Sequence, residues 1–397
     1  MGVSRVNKLN ELIHTLCPNG VEYKRLGEIA TVSRGGNFQK KDYVETGIPC
    51  IHYGQIYTQY GLFVDKTISF ISKEKATRQK FAVKNDIIMA VTSENIDDVC
   101  KCVAWLGEED VAVSGHTAII HHTINPKYLV YYLHSTMFYK QKTKLAHGTK
   151  VIEVTPDKLL DITLPVPPTE IQNEIVRILD NFTELTAELT AELTAELTAR
   201  KLQYEHYRND LLTFEGNTRF EKLGITCNMK SGKAIQTAQI TAKPTENAPF
   251  ACFGGNGIRG YVAQASHHGE FPIIGRQGAL CGNINYATGD FYATEHAVVV
   301  ESKGDYLQRF LYYLLISMNL NQYKSQGAQP GLAVGNLENL IAPVPSIKEQ
   351  ERIISILDRF DAICNDLSAG LPAEIEARQK QYEYYRDKLL TFGKVNV

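Results

Sequence analysis

Apolar residues between 169 and 214 recur at helical intervals. Ile171, Ile175, Ile178, Phe182, Leu185 and Leu189 step by 4, 3, 4, 3 and 4, the seam of a helix laid along a partner helix. Pro167 and Pro168 mark its start, with Thr169 as the N-cap. The unit Thr186-Ala187-Glu188-Leu189 then repeats at 190–193 and 194–197. Leucines thereafter follow every four residues, a stutter that relaxes the supercoil. About 45 residues at 1.5 Å each predict a rod of roughly 65 Å, more than one domain needs to close its core.

The same passage is written again 178 residues later. Leu164-Pro165-Val166-Pro167 returns as Ala342-Pro343-Val344-Pro345, and Ile178-Leu179-Asp180-Asn181-Phe182 returns as Ile356-Leu357-Asp358-Arg359-Phe360. Residues 203–214, including Tyr204, Tyr207, Leu211 and Phe214, return as 381–392, including Tyr382, Tyr385, Leu389 and Phe392. An unchanged offset over about fifty residues is expected of a rod whose length matters. The second rod differs at Gly370 and Pro372, which predict a break, with Glu374 and Glu376 suited to the first turn of a new helix.

Ahead of each rod lies a block of short β-branched runs, such as Asp86-Ile87-Ile88-Met89-Ala90-Val91 and Phe271-Pro272-Ile273-Ile274-Gly275, punctuated by Gly, Asn and Asp. Each block reads as a twisted sheet closed by a helix, at Tyr128–Leu133 in the first and from Lys303-Gly304-Asp305-Tyr306 in the second. The fold class is α+β, with two mixed α/β blocks alternating with two long helices. The divisions fall at 1–165, 166–215, 216–343 and 344–397.

Composition narrows the possibilities. A chain of 397 residues predicts two or three domains, and 44% apolar residues can bury a sizeable core. Lys plus Arg number 42 against 44 Asp plus Glu, a net charge of −2, so any polyanion site must be local. The eight cysteines form no CxxC pair and read as reduced core residues rather than zinc ligands. Met1 to Ile13 lacks the apolar core of a secretion signal, and no run nears the ~18 apolar residues of a membrane span. A cytoplasmic protein without membrane contact is expected.

Three motifs mimic catalytic sites. Gly255-Asn256-Gly257-Ile258-Arg259-Gly260 fits GxGxxG, but no helix is predicted to begin there; a hairpin turning at Asn256-Gly257 in a type I′ turn is the simpler reading. Asn125-Pro126-Lys127-Tyr128 approaches the Asn-Pro-Pro-Tyr loop of adenine methyltransferases but lacks the second proline, and Pro126 reads as a helix starter. Ser231-Gly232-Lys233-Ala234 lacks the upstream Gly and the Ser/Thr of a P-loop. His121-His122 and His267-His268 are adjacent rather than four apart, so no metal site is expected. No nucleophile and base pair stands out, and no catalytic residue is assigned.

Two dissimilar blocks, each followed by a long repeated helix with Pro-Val-Pro before it and Tyr-Arg-Asn/Asp-x-Leu-Leu near its end, resemble the specificity subunits of type I restriction-modification systems. Leu164 to Leu179, the Thr-Ala-Glu-Leu repeats, Gly370-Leu371-Pro372 and Arg378 to Phe392 carry the likeness. The resemblance implies that each block is a target recognition domain and that the helices pair as an antiparallel coiled-coil rod. It implies double-stranded DNA as a partner, with methyltransferase subunits, two of them, and restriction-translocation subunits. No cofactor is expected on this chain; S-adenosylmethionine, ATP and Mg belong to the partner subunits.

Loops outrank strands as DNA-reading candidates. In the first block these are Arg34, Gly35, Gly36, Lys40, His52, Tyr53, Gln55, Thr92, Ser93, Glu94, His147 and Lys150. In the second they are Lys230, Lys233, Gly254, Gly255, Asn256, Arg276, Gln277, Gln326 and Gln329. Arg suits guanine, Gln suits adenine, and Lys suits phosphate. Tyr204, Tyr207, Leu211 and Phe214, with Tyr382, Tyr385, Leu389 and Phe392, read as rod seam and partner surface, a plain core role being the alternative. Rival functions are a self-sufficient adenine DNA methyltransferase and a non-specific coiled-coil scaffold.

Overall fold

The computed structural model describes residues 2–278, 280–325, 330–365 and 370–393. By its contacts the chain divides into two compact units, residues 1–191 with 376–397 and residues 192–375.

In the first unit, strands Ala30–Arg34, Thr117–His122, Ile87–Ala90, Cys102–Trp105 and Phe63–Val64 lie side by side in that order. A second sheet follows the order Tyr43–Val44, Ser69–Ile71, Ile48–Ile51, Val111–Val113, Lys80–Ala82. The block therefore holds two main sheets rather than the single one expected, and the reason is visible in Ile87–Ala90. Side chains alternate across a strand, yet all four of these residues are buried. Ile87 and Met89 pack with Leu129, Tyr132 and Phe138 on the helical side, while Ile88 and Ala90 pack with Ile51, Trp105 and Val113 toward the other sheet. A strand apolar on both faces needs cover on both.

The second unit repeats the scheme with four-stranded sheets. One runs Cys227–Ser231, Ala297–Ser302, Phe271–Gly275, Ile284–Ala287; the other runs Gly257–Val262, Phe250–Gly254, Asp290–Ala293, His267–His268. Ile274, Val298 and Val300 face Phe310 and Leu314, and Ile273, Ala297 and Val299 face Phe253 and Phe291.

Helix Pro126–Leu133 starts at its proline, and the Asn125 side chain accepts from the N–H groups of Lys127 (2.9 Å) and Tyr128 (3.2 Å). Its counterpart, Gln308–Ser317, begins later than expected. Gly304 takes φ +115° and Ser302 Oγ accepts from Tyr306 N–H at 2.9 Å, so a left-handed turn stands where the first block has its proline starter.

The long helix spans Thr169–Leu211, 43 residues. The Pro168 carbonyl accepts from the N–H groups of Ile171 (3.0 Å) and Gln172 (3.1 Å), so Pro168 rather than Thr169 holds the cap position and Thr169 is the first helical residue. Ile171, Ile175, Ile178 and Leu179 are buried with Tyr128, Tyr131, Leu390 and Leu9. Leu9 comes from a helix, Gly2–Leu16, that the sequence reading missed. Farther along the expected seam Leu185 is 60% exposed. With Phe182, Thr186 and Leu189 it lines a hollow of about 230 Å³ shared with Arg378, Gln381 and Tyr382. The Phe182 ring lies 5.9 Å from that of Tyr385, and Thr183 Oγ1 lies 3.0 Å from the Tyr382 hydroxyl. In the second unit the Tyr204 and Tyr207 rings lie 6.4 and 5.4 Å from Phe360.

Helices Ile347–Asn365 and Leu371–Leu389 stand where the interrupted rod was predicted, with Gly370 outside both. Glu374 occupies the first turn of the latter, whereas Glu376 sits beyond it and pairs with Lys380 at 2.5 Å. All eight cysteines are unbonded, seven of them buried. Among the described residues no helix is long and apolar enough to cross a membrane.

Candidate nucleic-acid interface

In the first block several of the candidates converge on the turn Ser114–Thr117. Arg34 ends its strand there, its Nε donating to Gly115 O (3.0 Å) and its guanidinium pairing with Glu153 (2.9 Å). Gly35 N–H donates to Thr117 O at 3.0 Å, and a Cβ at Gly35 would stand 2.1 Å from Ser114 O. Gly36 N–H donates to Val113 O at 2.6 Å. Tyr53 N–H donates to Ser114 Oγ (2.9 Å), and its ring lies 5.0 Å from that of His116. Thr92 is buried with Oγ1 3.2 Å from His116 Nδ1, and its carbonyl accepts from Tyr57 OH at 2.7 Å. Thr92 and Ser93 pair with Glu153 and Ile152, and His147 exchanges backbone hydrogen bonds with Glu153 at 2.9 and 2.8 Å. Glu94 and Lys150 are exposed at bends, and Lys40 is exposed at the start of the short helical turn Lys40–Asp42.

His52 and Gln55 take a different place. Both are buried in a helix start, where His52 Nδ1 accepts from Gly54 N–H (3.2 Å), His52 N–H donates to Gln55 Oε1 (2.8 Å), and Gln55 Nε2 donates to Ser69 Oγ (2.7 Å). Burial, helped by the charge of Lys40, holds the His52 imidazole below its ordinary pKa.

In the second block, strands Phe250–Gly254 and Gly257–Val262 form the expected hairpin, and no helix begins at the GxGxxG. Its tip is not the type I′ turn predicted, which needs positive φ at both central residues. The pairing of Gly254 with Gly257 puts Gly255 and Asn256 at the centre, one residue earlier than expected, and neither has positive φ; Gly257, at +90°, opens the second strand. Asn256 Oδ1 accepts from Asn283 Nδ2 at 2.9 Å, and Arg276 donates to Ser231 Oγ at 2.9 Å. Gln277 is exposed and bridges to Gly331. Gly255, Asn256, Arg276 and Gln277 are thus brought together, with Gly254 buried beneath them. Lys230 and Lys233 are exposed at and just beyond the end of strand Cys227–Ser231. Gln326 and Gln329 lie outside the described residues.

The tyrosine and leucine stripe makes contacts within its own units. Tyr204, Leu211 and Phe214 pack on the second unit's core. Leu389 and Phe392 pack on the first's. Tyr207 and Tyr385 remain 40% and 41% exposed.

Ser114, His116 and Glu153, and in the second block Asn283, Asn285 and His296, escaped the sequence reading. The signal available was Ser114-Gly115-His116 against Thr294-Glu295-His296, each opening an apolar strand. Its offset is 180 rather than 178, which hid it. Asn125 of the methyltransferase-like motif is occupied as a helix cap, with its Nδ2 donating to Asn173 Oδ1 at 2.8 Å. Among the described residues no group of three or more His, Cys, Asp or Glu could hold a metal ion.

Residues 18–199 and 215–377 both match the family model of the type I restriction modification DNA specificity domain. The chain belongs to that family. The 178-residue repeat is therefore two copies of the specificity domain. The chain is similar to the type I restriction enzyme EcoprrI specificity subunit of Escherichia coli, 46% identical over 61% of this chain. That match covers 62% of the EcoprrI subunit, under two thirds of its length. It is also 33% identical to the EcoR124I/EcoR124II specificity subunit of Escherichia coli, over 68% of this chain and 71% of that one. Among solved structures, a chain from a study of assembly and conformational transition in a type I restriction-modification system aligns over 94% of this chain and 97% of its own, with TM-score 0.68 and 18% identity. At that identity the likeness concerns the fold.

Proposed function

We propose that this chain, a type I specificity subunit, is the non-catalytic DNA-reading member of a cytoplasmic restriction-modification complex. It reads a bipartite, asymmetric target, one half-site per block, and docks two methyltransferase subunits, with restriction-translocation subunits completing the assembly. S-adenosylmethionine, ATP and Mg act on those partners. The observation that carries this reading is the pair of loop clusters, around Ser114–Thr117 and around Arg276–Gln277, built on one plan from different side chains. Two such surfaces suit recognition of two unlike half-sites.

The long helices pair, in this reading, as an antiparallel coiled coil that fixes the spacing of the half-sites. The contacts of Phe182 with Tyr385 and of Tyr207 with Phe360 support it. One Thr-Ala-Glu-Leu unit adds about 6 Å of helix, so deleting residues 190–193 should change the gap between half-sites by roughly one or two base pairs.

The test is coexpression with the cognate methyltransferase, followed by genome-wide mapping of modified adenines. Exchanging residues 24–160 for the block of another family member should alter one half of the mapped motif and leave the other. Methylation by this chain alone, or equal affinity of the complex for all duplexes, would overturn the reading.

A further inference from the structure

Hydrogen bonds show that the two clusters are one notch built twice. In the first block Gly35 N–H donates to Thr117 O (3.0 Å), Thr117 N–H to Ser114 O (3.3 Å) and Val91 N–H to His116 O (3.0 Å). In the second, Gly232 N–H donates to Ala297 O (3.0 Å), Ala297 N–H to Thr294 O (2.9 Å) and Arg276 N–H to His296 O (2.9 Å). A further extended segment closes each alike, through Val154 N–H to Val91 O (3.0 Å) and Leu332 N–H to Arg276 O (2.9 Å). These bonds pin Gly35 to Gly232, Ser114 to Thr294, His116 to His296, and Thr92 to Gln277.

The histidine is the side chain both notches keep, while its neighbours change. His116 is exposed; Thr92 Oγ1 lies 3.2 Å from its Nδ1 and Tyr53 packs on its ring, while its Nε2 has no partner among the described residues. The His296 side chain is 36% exposed, with Nε2 3.3 Å from Glu295 Oε1. Around His296 and the hairpin tip Gly255–Gly257 beside it the polar groups are unsatisfied: His296 Nδ1, Arg276 Nε, Glu295 Oε2 and Asn285 Nδ2 are buried without a hydrogen-bond partner, half of the eight such atoms among the described residues. A native fold leaves few buried polar atoms unpaired. A concentration of them beside two half-exposed groups, Arg276 and His296, marks a surface made to be completed by a polar ligand. Base edges and phosphates of a duplex carry such donors and acceptors.

We propose that His116 and His296 are equivalent specificity-determining residues, each contacting a base edge in its own half-site. Thr92 in one block and Arg276 with Gln277 in the other orient the ring and select the base. This rests on the DNA-reading function proposed above and names the residues at its centre.

The test uses the complex of the full chain with its methyltransferase, measuring binding to duplexes carrying the mapped motif and single-base changes in each half, alongside methylome mapping. H116Q should weaken binding to the motif by roughly tenfold to a hundredfold and abolish discrimination at one base pair of the half assigned to residues 24–160. H296Q should do the same in the other half only. H268Q, at an exposed histidine paired with Asp290, should change neither. Affinity within twofold of wild type with an unchanged motif, or loss of both halves at an unchanged melting temperature, overturns the proposal. Should H116Q itself lower the melting temperature, T92V decides. It keeps the ring, removes only the contact to Nδ1, and must shift preference at the same base pair; no shift overturns the proposal. If DNA reading itself is wrong, the wild-type complex yields no bipartite motif at all, which separates the two failures.

Discussion

In the first block Tyr128 OH donates to Pro165 O, and in the second Tyr306 OH donates to Pro343 O, both at 3.0 Å. Gln172 accepts from Asn125 N–H (2.9 Å) and donates to Pro167 O (2.7 Å); Gln350 accepts from Leu307 N–H (2.8 Å) and donates to Pro345 O (3.0 Å). Asp180 receives Lys127 and Tyr131, whereas Asp358 receives Arg309 and Tyr313. The acceptors recur at one offset, as do the tyrosine and glutamine donors to the proline carbonyls, while the donors to the glutamine oxygen and to the aspartate drift. The chain between them is not kept to length. The offset between blocks is 197 at Gly35 and Gly232, 180 at His116 and His296, and 178 at Val154 and Leu332. The first block thus carries nineteen extra residues, most of them ahead of the histidine turn. Buried polar groups that must find partners hold the frame constant, and solvated loops absorb the change in length.

The largest effect should follow from breaking the frame. Gln172→Leu and Gln350→Leu each strip a partly buried backbone N–H and a buried proline carbonyl of their partners, a loss of about 3 kcal/mol each. Thermal unfolding monitored by hydrogen exchange should show each variant loosening its own unit, to similar degrees. A cost in one block alone would mean that the frames are alike in geometry but not in energy.

The glycines at the notch come next. A Cβ at Gly35 would stand 2.1 Å from Ser114 O, and one at Gly232 would stand 1.9 Å from Ala293 O. Backbone oxygens cannot swing aside as side chains can, so Gly35→Ala and Gly232→Ala should each cost about 2 kcal/mol and weaken the half-site that their block reads. Chemical denaturation and methylome mapping check both consequences.

These frame elements were legible in the sequence where they coincide with a marker of fixed offset. Pro165 and Pro343, and the heptad from Ile171 to Ile178, announced the helix start and its buried stripe. The two-sheet build was less legible, although the unbroken apolar run Ile87 to Val91 held the signal, because an apolar run does not say what covers each face. The N-terminal helix was missed because Leu9, Leu12 and Ile13 face a surface formed by Ile171, Ile175 and Leu390, distant in sequence. At the site, Arg34, Thr92, Arg276 and Asn256 were named from residue type and loop position. His116 and His296 were not, since their equivalence lives in backbone hydrogen bonds and their offset departs from 178.

A third difference between the blocks is titratable. His134 is partly buried against Cys102 and hydrogen-bonded to Val130 O at 2.9 Å, and desolvation pushes its pKa down from 6.5 to about 4. The residue 178 positions on is Tyr312, which does not titrate in acid. The folded state thus favours neutral His134 more than the unfolded chain does. That contribution is fully present above pH 6.5 and is lost as the pH falls toward 4, by about 2 kcal/mol at pH 5. Hydrogen exchange at pH 7 and pH 5 should show the first unit loosening relative to the second, and His134→Gln should flatten the difference. Equal loosening of both units at pH 5 would place the acid sensitivity elsewhere.

The smallest effect tests where the frame stops. Gly36 and Lys233 hold the same place, each one residue beyond the glycine pinned to the notch and each donating its N–H to a strand end, at Val113 O (2.6 Å) and Ala293 O (3.0 Å). The second block already tolerates a long side chain there. In the first, a Cβ on Gly36 would meet Gln79 Oε1 at 2.1 Å, the end of a partly buried side chain held by Asn37 and the Lys75 carbonyl, and Gln79 Cα at 3.1 Å, a contact that a shift of a few tenths of an ångström relieves. Gln79 can turn away at the expense of exposed hydrogen bonds, so Gly36→Ala should cost less than about 1 kcal/mol, against the larger loss at Gly35 one residue earlier. Urea denaturation of the two variants side by side measures the ratio. If Gly36→Ala costs as much as Gly35→Ala, the rigid frame reaches past the notch, and the glycine there is required by backbone packing rather than by the freedom of a loop to vary.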